Sequence, residues 1–156
     1  MRNNQKQQAT IFERILVPVT GTQADEEAIK LACRLAKQDK SEVYAVYIIT
    51  MKRDLPLDAE IETEIQKAED ILNHIESSAR EQGCRIDTDV LQAREAGPAI
   101  IDEAIEREVD LILMGAAYKR RFGEFSLGEV APYVLKNATC RVILYHQYAT
   151  RPEMTL

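Results

Sequence analysis

Two short segments of this chain carry no polar interruption at all, and they restrict the fold more than anything else. Ile15-Leu16-Val17-Pro18-Val19 and Leu111-Ile112-Leu113-Met114 are each the length of a strand, and each is apolar on both of its alternating faces. A strand of that kind has to be covered on both sides, which is the condition of a parallel sheet flanked by helices. The segments between them alternate in period. Ala28, Leu31, Ala32 and Leu35 recur at helical spacing, and Thr22 with Asp25 is placed to cap that helix. Val43 to Ile49 is a second strand, rich in β-branched and aromatic residues. Ile61, Ile65, Ala68, Leu72, Ile75 and Ala79 form the stripe of a long amphipathic helix ending near Gly83.

A third strand, about 84–91, alternates Cys84, Ile86, Thr88 and Val90 with Arg85, Asp87 and Asp89, the pattern of a half-exposed edge. Gly97-Pro98 opens a third helix, with proline expected at its first position. Val130 to Asn137 is a last helix, and Arg141-Val142-Ile143-Leu144-Tyr145 a fifth strand. The order βαβαβαβαβ predicts an α/β domain: an open, five-stranded parallel sheet of order 3-2-1-4-5, Rossmann-like, with helices on both faces and right-handed crossovers. The domain is expected over 13–148, between flexible tails at 1–12 and 149–156.

That strand order puts a switch point between strands 1 and 4, where ligands of open parallel sheets collect at the strands' carboxyl ends. Thr20-Gly21-Thr22 and the long segment MGAAYKRRFGEFSLGEV, beginning at Met114, face it. In this segment Gly115 permits close backbone approach, and Gly128 exposes amides near a helix amino terminus. Arg120 and Arg121, after Lys119, are candidate partners for an anion, although short basic runs in loops are mostly solvated. Glu129 opposes an anion. Ser126-Leu127-Gly128-Glu129 matches a capping box, but Pro132 favours a helix start near Gly128 or Glu129. Phe122 and Phe125 are candidates for a contact with the domain or with another subunit.

The formal charge of −6 argues against non-specific nucleic-acid binding, and no stretch reaches the apolar length of a membrane span. The polar amino terminus has no signal-peptide pattern, so the expected compartment is the cytoplasm. Cys33, Cys84 and Cys140 are scattered and odd in number, which suits buried thiols in a reducing compartment. Isolated histidines at 74 and 146 have no metal-ligand spacing. No histidine or cysteine falls at the switch point, and neither Ser126 nor Thr20 has an evident activating partner, so no enzyme activity is expected.

The segments ILVPVTGTQADEEAIKLACRLA, AGPAIIDEAIEREVDLILMG and LGEVAPYVLKNATCRVILY together resemble the universal stress protein family, over about 14–145. Nucleotide-binding members carry G-x2-G-x9-G-[S/T] after strand 4 and an aspartate at the end of strand 1. The spacing is kept here: Gly115 and Gly128 match the first and third glycines, Tyr118 replaces the second, Glu129 replaces the hydroxyl, and Thr20 stands at the aspartate. Pro18, Val19, Ile48 and Met114 match the adenine-lining positions. The resemblance implies a dimer, often through the fifth strand, here Val142, Ile143, Leu144, Tyr145 and Tyr148. It leaves two functional readings: a regulatory domain with weak or absent ATP binding, or a switch for AMP or another adenine nucleotide held by Arg120 and Arg121. The KRRFGEF segment is similar to stress-protein domains associated with amino-acid permeases, so a transporter or regulatory protein is a candidate partner.

Overall fold

The computed structural model describes residues 12–116, 119–121, 124–126 and 128–146. Its elements are β1 (Arg14–Val19), α1 (Gln23–Asp39), β2 (Glu42–Thr50), α2 (Glu62–Glu81), β3 (Ile86–Ala93), α3 (Ala96–Glu106), β4 (Leu111–Ala116), β5 (Lys119–Arg121), β6 (Glu124–Ser126), α4 (Val130–Asn137) and β7 (Arg141–His146). The main sheet is parallel, in the order β3-β2-β1-β4-β7. This is the expected 3-2-1-4-5 arrangement, with the two uninterrupted apolar strands side by side inside it.

Alternation along the strands divides the core between two helix layers. Ile15, Val17 and Val19 of β1, Val43, Ala45 and Tyr47 of β2, and Leu111 and Leu113 of β4 join one cluster with α1 and α2. Leu16, Val46, Ile112 and Met114 join the other, with Ile100, Ile101 and Ala104 of α3 and Ala131 and Val134 of α4. The inner strands β1 and β4 are covered on both faces, so polar residues have no place in their middle, whereas the edge strand β3 exposes Asp87, Thr88 and Asp89.

Several local expectations shift. The buried stripe of α1 is Ala28, Ile29, Ala32, Cys33 and Ala36, turned from the expected one; Leu31 and Leu35 lie at its half-buried margin. β3 begins at Ile86 and not at Cys84, because the Cys84 N–H donates to the Ala79 carbonyl (2.9 Å) and Gly83 takes φ +69°, finishing α2. Pro98 sits third in α3 and not first, a place where a missing N–H still costs no intrahelical bond. The segment after β4 contains a small antiparallel pair, with Lys119 opposite Ser126, Arg120 opposite Phe125 and Arg121 opposite Glu124.

The two ends of the central strands are built differently. At the amino end, the Asp110 carboxylate accepts the N–H groups of Glu13 (2.8 Å) and Arg14 (3.0 Å), tying β4 to β1. Towards the carboxyl end, β1 stays in register with β2 up to Val19 opposite Tyr47, whereas its pairing with β4 covers only Ile15–Leu111 and Leu16–Ile112. Pro18, which has no N–H to donate, stands just beyond that point. β4 continues with β7 instead, through Ala116 opposite His146. The ladder between β1 and β4 thus ends well before their carboxyl ends, at the switch point.

Candidate nucleotide-type crevice

The alternation that divides the core also divides the expected ligand-lining residues. Met114 and Ile48 lie with the α3/α4 cluster, and Pro18, two residues after Leu16, falls on the same face. Val19 lies on the opposite face, in the α1/α2 cluster, and is almost fully buried there. It therefore does not join Pro18, Ile48 and Met114 in one wall.

Gly115 also turns to the α1 side. A Cβ at that position would stand 2.5 Å from the Ala24 carbonyl oxygen and 2.7 Å from its carbon. The glycine is required by the close approach of the first turn of α1. Gly128 is different: it is exposed, takes φ +73°, and has open space where a side chain would be.

Thr20 is exposed and belongs to a compact carboxylate-binding turn. The Asp25 Oδ2 accepts N–H groups from three consecutive residues: Thr20 (2.9 Å), Gly21 (2.6 Å) and Thr22 (3.0 Å). The Thr20 hydroxyl is 3.4 Å from Oδ1. Successive amides curled around one oxygen form the kind of nest that holds phosphate elsewhere. Here it holds the chain's own carboxylate, only 1% exposed. Burial pushes the Asp25 carboxyl above its ordinary range, and the bonds from Thr20, Gly21 and Thr22 oppose that shift. The expected helix cap is present in Asp25 accepting from Thr22. Its grip on Thr20 and Gly21 was not legible, because that depends on the turn of the chain after β1.

On the α3/α4 side a cleft of about 420 Å³ lies at the carboxyl ends of β2 and β3. Thr50, Arg94, Gly97, Glu129, Val130 and Tyr133 line it. A Cβ on Gly97 would meet the Tyr133 ring at 2.7 Å, so this glycine lets α4 approach α3 and form the floor. Arg94 donates to the Lys52 carbonyl, which holds a cation at the rim. Sequence reasoning missed Thr50, Arg94, Gly97, Val130 and Tyr133 as lining residues. The two-residue alternation from Ile48 to Thr50 was the one signal available.

Glu129 is the residue that precedes α4, as the proline argument required, and it is exposed. Its side chain makes no capping hydrogen bond. Ser126 is in β6 and α4 begins at Val130, three residues later than S-x-x-E would place the helix start. Arg120 and Arg121 lie on β5, and Tyr118, Phe122 and Tyr148 are outside the described residues.

A parallel sheet of this order, with helices on both faces and its switch point between β1 and β4, defines a Rossmann-like α/β domain. The chain matches the model of the Universal stress protein family over residues 11–146, and it belongs to that family. Universal stress protein MJ0531 of Methanocaldococcus jannaschii is 31% identical over 140 residues, covering 86% of this chain and 82% of the relative. Universal stress protein YxiE of Bacillus subtilis is 26% identical over 148 residues, covering 86% and 99%. Among solved structures, a universal stress protein from Archaeoglobus fulgidus in complex with dAMP superposes with a TM-score of 0.68 at 24% identity, over 86% of this chain and 98% of that one. A family member from Arabidopsis thaliana with AMP bound gives 0.62 at 12% identity, over 90% and 97%. Those two likenesses establish the fold. Among the described residues, no helix is long and apolar enough to cross a membrane.

Proposed function

We propose that this chain is a regulatory domain of the universal stress protein type, working as a homodimer, whose crevice binds ATP weakly or not at all. The observation that carries this reading is Glu129. It places an exposed carboxylate, with no capping hydrogen bond of its own, at the amino end of α4 next to Gly128. A triphosphate drawn to this helix amino terminus would meet a like charge there. Two unit charges about 4 Å apart repel by roughly 1 kcal/mol in water and about 4 kcal/mol near a protein surface. At this exposed position the lower figure applies per phosphate charge. The second set of backbone donors near the switch point, Thr20-Gly21-Thr22, is already committed to Asp25.

The dimer reading rests on β7. It is the outer strand of the sheet, and Val142, Ile143, Leu144 and Tyr145 are all half-exposed along it. An apolar strand at the edge of a sheet is a template for pairing with a second copy. A regulatory rather than catalytic role is supported by the residues lining the described part of the cleft, which include no histidine or cysteine to serve as base or nucleophile. Regulation would act on a protein partner, with a transporter among the candidates.

The alternative is a switch for AMP or a similar adenine nucleotide. Its specific support is that Pro18, Ile48 and Met114 share one face of the sheet, together with the dAMP and AMP carried by the Archaeoglobus and Arabidopsis relatives. A monophosphate brings less charge to Glu129 than a triphosphate does. Calorimetric titration with ATP and AMP separates the readings. The leading one expects ATP dissociation constants above about 100 μM. Sub-micromolar ATP binding would overturn it, and AMP bound much more tightly than ATP would establish the switch.

A further inference from the structure

The end of the sheet opposite the crevice holds a pair of thiols. Cys33 lies on the inner face of α1 and is fully buried. Cys84 follows Gly83 in the turn between α2 and β3, half-buried against the same core cluster. The two segments are fixed against each other. The Cys84 N–H is anchored on the Ala79 carbonyl, and Lys37, one helical turn beyond Cys33, lies over Gly83 with Nζ 3.7 Å from where a Cβ would be. Cys33 and Cys84 belong to the same core cluster, and the two thiols are near enough to influence each other. Cys84 also opens on a cavity of about 510 Å³, which Arg80, Gly83 and Arg85 help to line. One sulfur is therefore reached from solvent, and its neighbour is sealed behind it.

We propose that Cys33 and Cys84 are an oxidation site, in which hydrogen peroxide entering this cavity converts the pair to an intramolecular disulfide. In the first step the Cys84 sulfur attacks one peroxide oxygen and the O–O bond breaks. Cys84 becomes a sulfenic acid, and the thiol proton leaves with the released oxygen as water. In the second step the Cys33 sulfur attacks the Cys84 sulfur, the S–O bond breaks, and the hydroxyl leaves with the Cys33 proton as a second water. Two thiols lose two electrons and one peroxide gains them. Exposure sets the order. Burial, with Cys84 beside it, also pushes the Cys33 thiol well above its ordinary range, so Cys33 is the resolving partner. The site lies at the amino end of β3, away from the switch point, and does not depend on the nucleotide reading.

The full chain is titrated with hydrogen peroxide and followed by intact mass and non-reducing peptide mapping. One equivalent is expected to remove two hydrogens (about 2 Da) and link the Cys33 and Cys84 peptides, with Cys140 still alkylatable. The bridge closes a loop of roughly 50 residues and is expected to raise the melting temperature by about 10 °C, reversibly with dithiothreitol. In Cys33→Ala, oxidation is expected to stop at a dimedone-reactive Cys84. In Cys84→Ala, at the more exposed position, Cys33 is expected to stay reduced at the same dose. Cys84 over-oxidised or linked between two chains while Cys33 remains a free thiol would overturn the proposal, as would a bridge to Cys140. Oxidation of Cys33 in Cys84→Ala would overturn the order of the steps.

Discussion

Asp25 brings two opposed effects into one measurable quantity. Its carboxylate is almost fully buried, which penalises charge, yet it accepts three backbone N–H groups at 2.6 to 3.0 Å, which favours charge. The larger effect is burial, which raises the pKa from its ordinary value of 3.8. A carboxyl raised on folding contributes stability that is fully present below its unfolded value and is lost as pH rises through its folded value. Asp25→Asn keeps one acceptor oxygen and removes the titration. The stability of the native protein relative to Asp25→Asn is therefore expected to increase as pH falls from about 7 to about 4, whatever the other carboxylates do, since they cancel in the difference. Asp25→Ala removes the acceptor and the helix cap together. Loss of a cap costs about 0.5–2 kcal/mol, and each lost net hydrogen bond about 0.5–1.5 kcal/mol. Thr20 and Gly21 are exposed, so water replaces part of that loss and about 2–4 kcal/mol remains. The assay is urea unfolding across that pH range, followed by far-ultraviolet circular dichroism because the chain has no tryptophan. If the native protein instead loses ground to Asp25→Asn as pH falls, the amide bonds outweigh burial, and the balance assigned here is wrong.

Two glycines test close packing. Gly115→Ala drives a Cβ into the backbone of Ala24 and should destabilise by about 1–3 kcal/mol in thermal or urea melts. Gly97→Ala meets only the side chain of Tyr133, itself 38% exposed and able to turn away, so its cost should be the smaller of the two; the reverse ranking would show that α1 yields more readily than α4. For the crevice, Glu129→Ser with Tyr118→Gly is expected to strengthen ATP binding by about tenfold or more in calorimetry, since a tenfold change needs only about 1.4 kcal/mol. No gain would place the block elsewhere, at Thr20 or in the crevice walls. For the edge strand, Leu144→Lys should shift the protein towards monomer in light scattering, and an unchanged mass would exclude β7 as the dimer contact.

Much of the domain was readable without coordinates. Uninterrupted apolar runs at 15–19 and 111–114 require cover on both faces, and that requirement alone led to a parallel sheet with β1 and β4 inside it. Pro132 was enough to place the start of α4, because a proline ring is tolerated only in a helix's first turn. These conclusions depend on local chemistry and on a period of two or 3.6 residues, both written along the chain.

The site was legible only in outline, because its geometry comes from pairs of residues far apart in sequence. Gly115 reads in the sequence as a place of close backbone approach, but that α1 is one of the things resting on it is visible only in the packed chain. Val19 looked like a neighbour of Pro18 in the crevice wall, yet the alternation of a strand sends it to the other face of the sheet. Asp25 read as a cap for its own helix, but the turn after Val19 also brings the amides of Thr20 and Gly21 onto the same oxygen. Sequence alone determines which segments must be buried and how each is shaped. Only the tertiary structure decides what each glycine makes room for and which charge fills each cluster of amides, because those depend on distances between elements that no local pattern encodes.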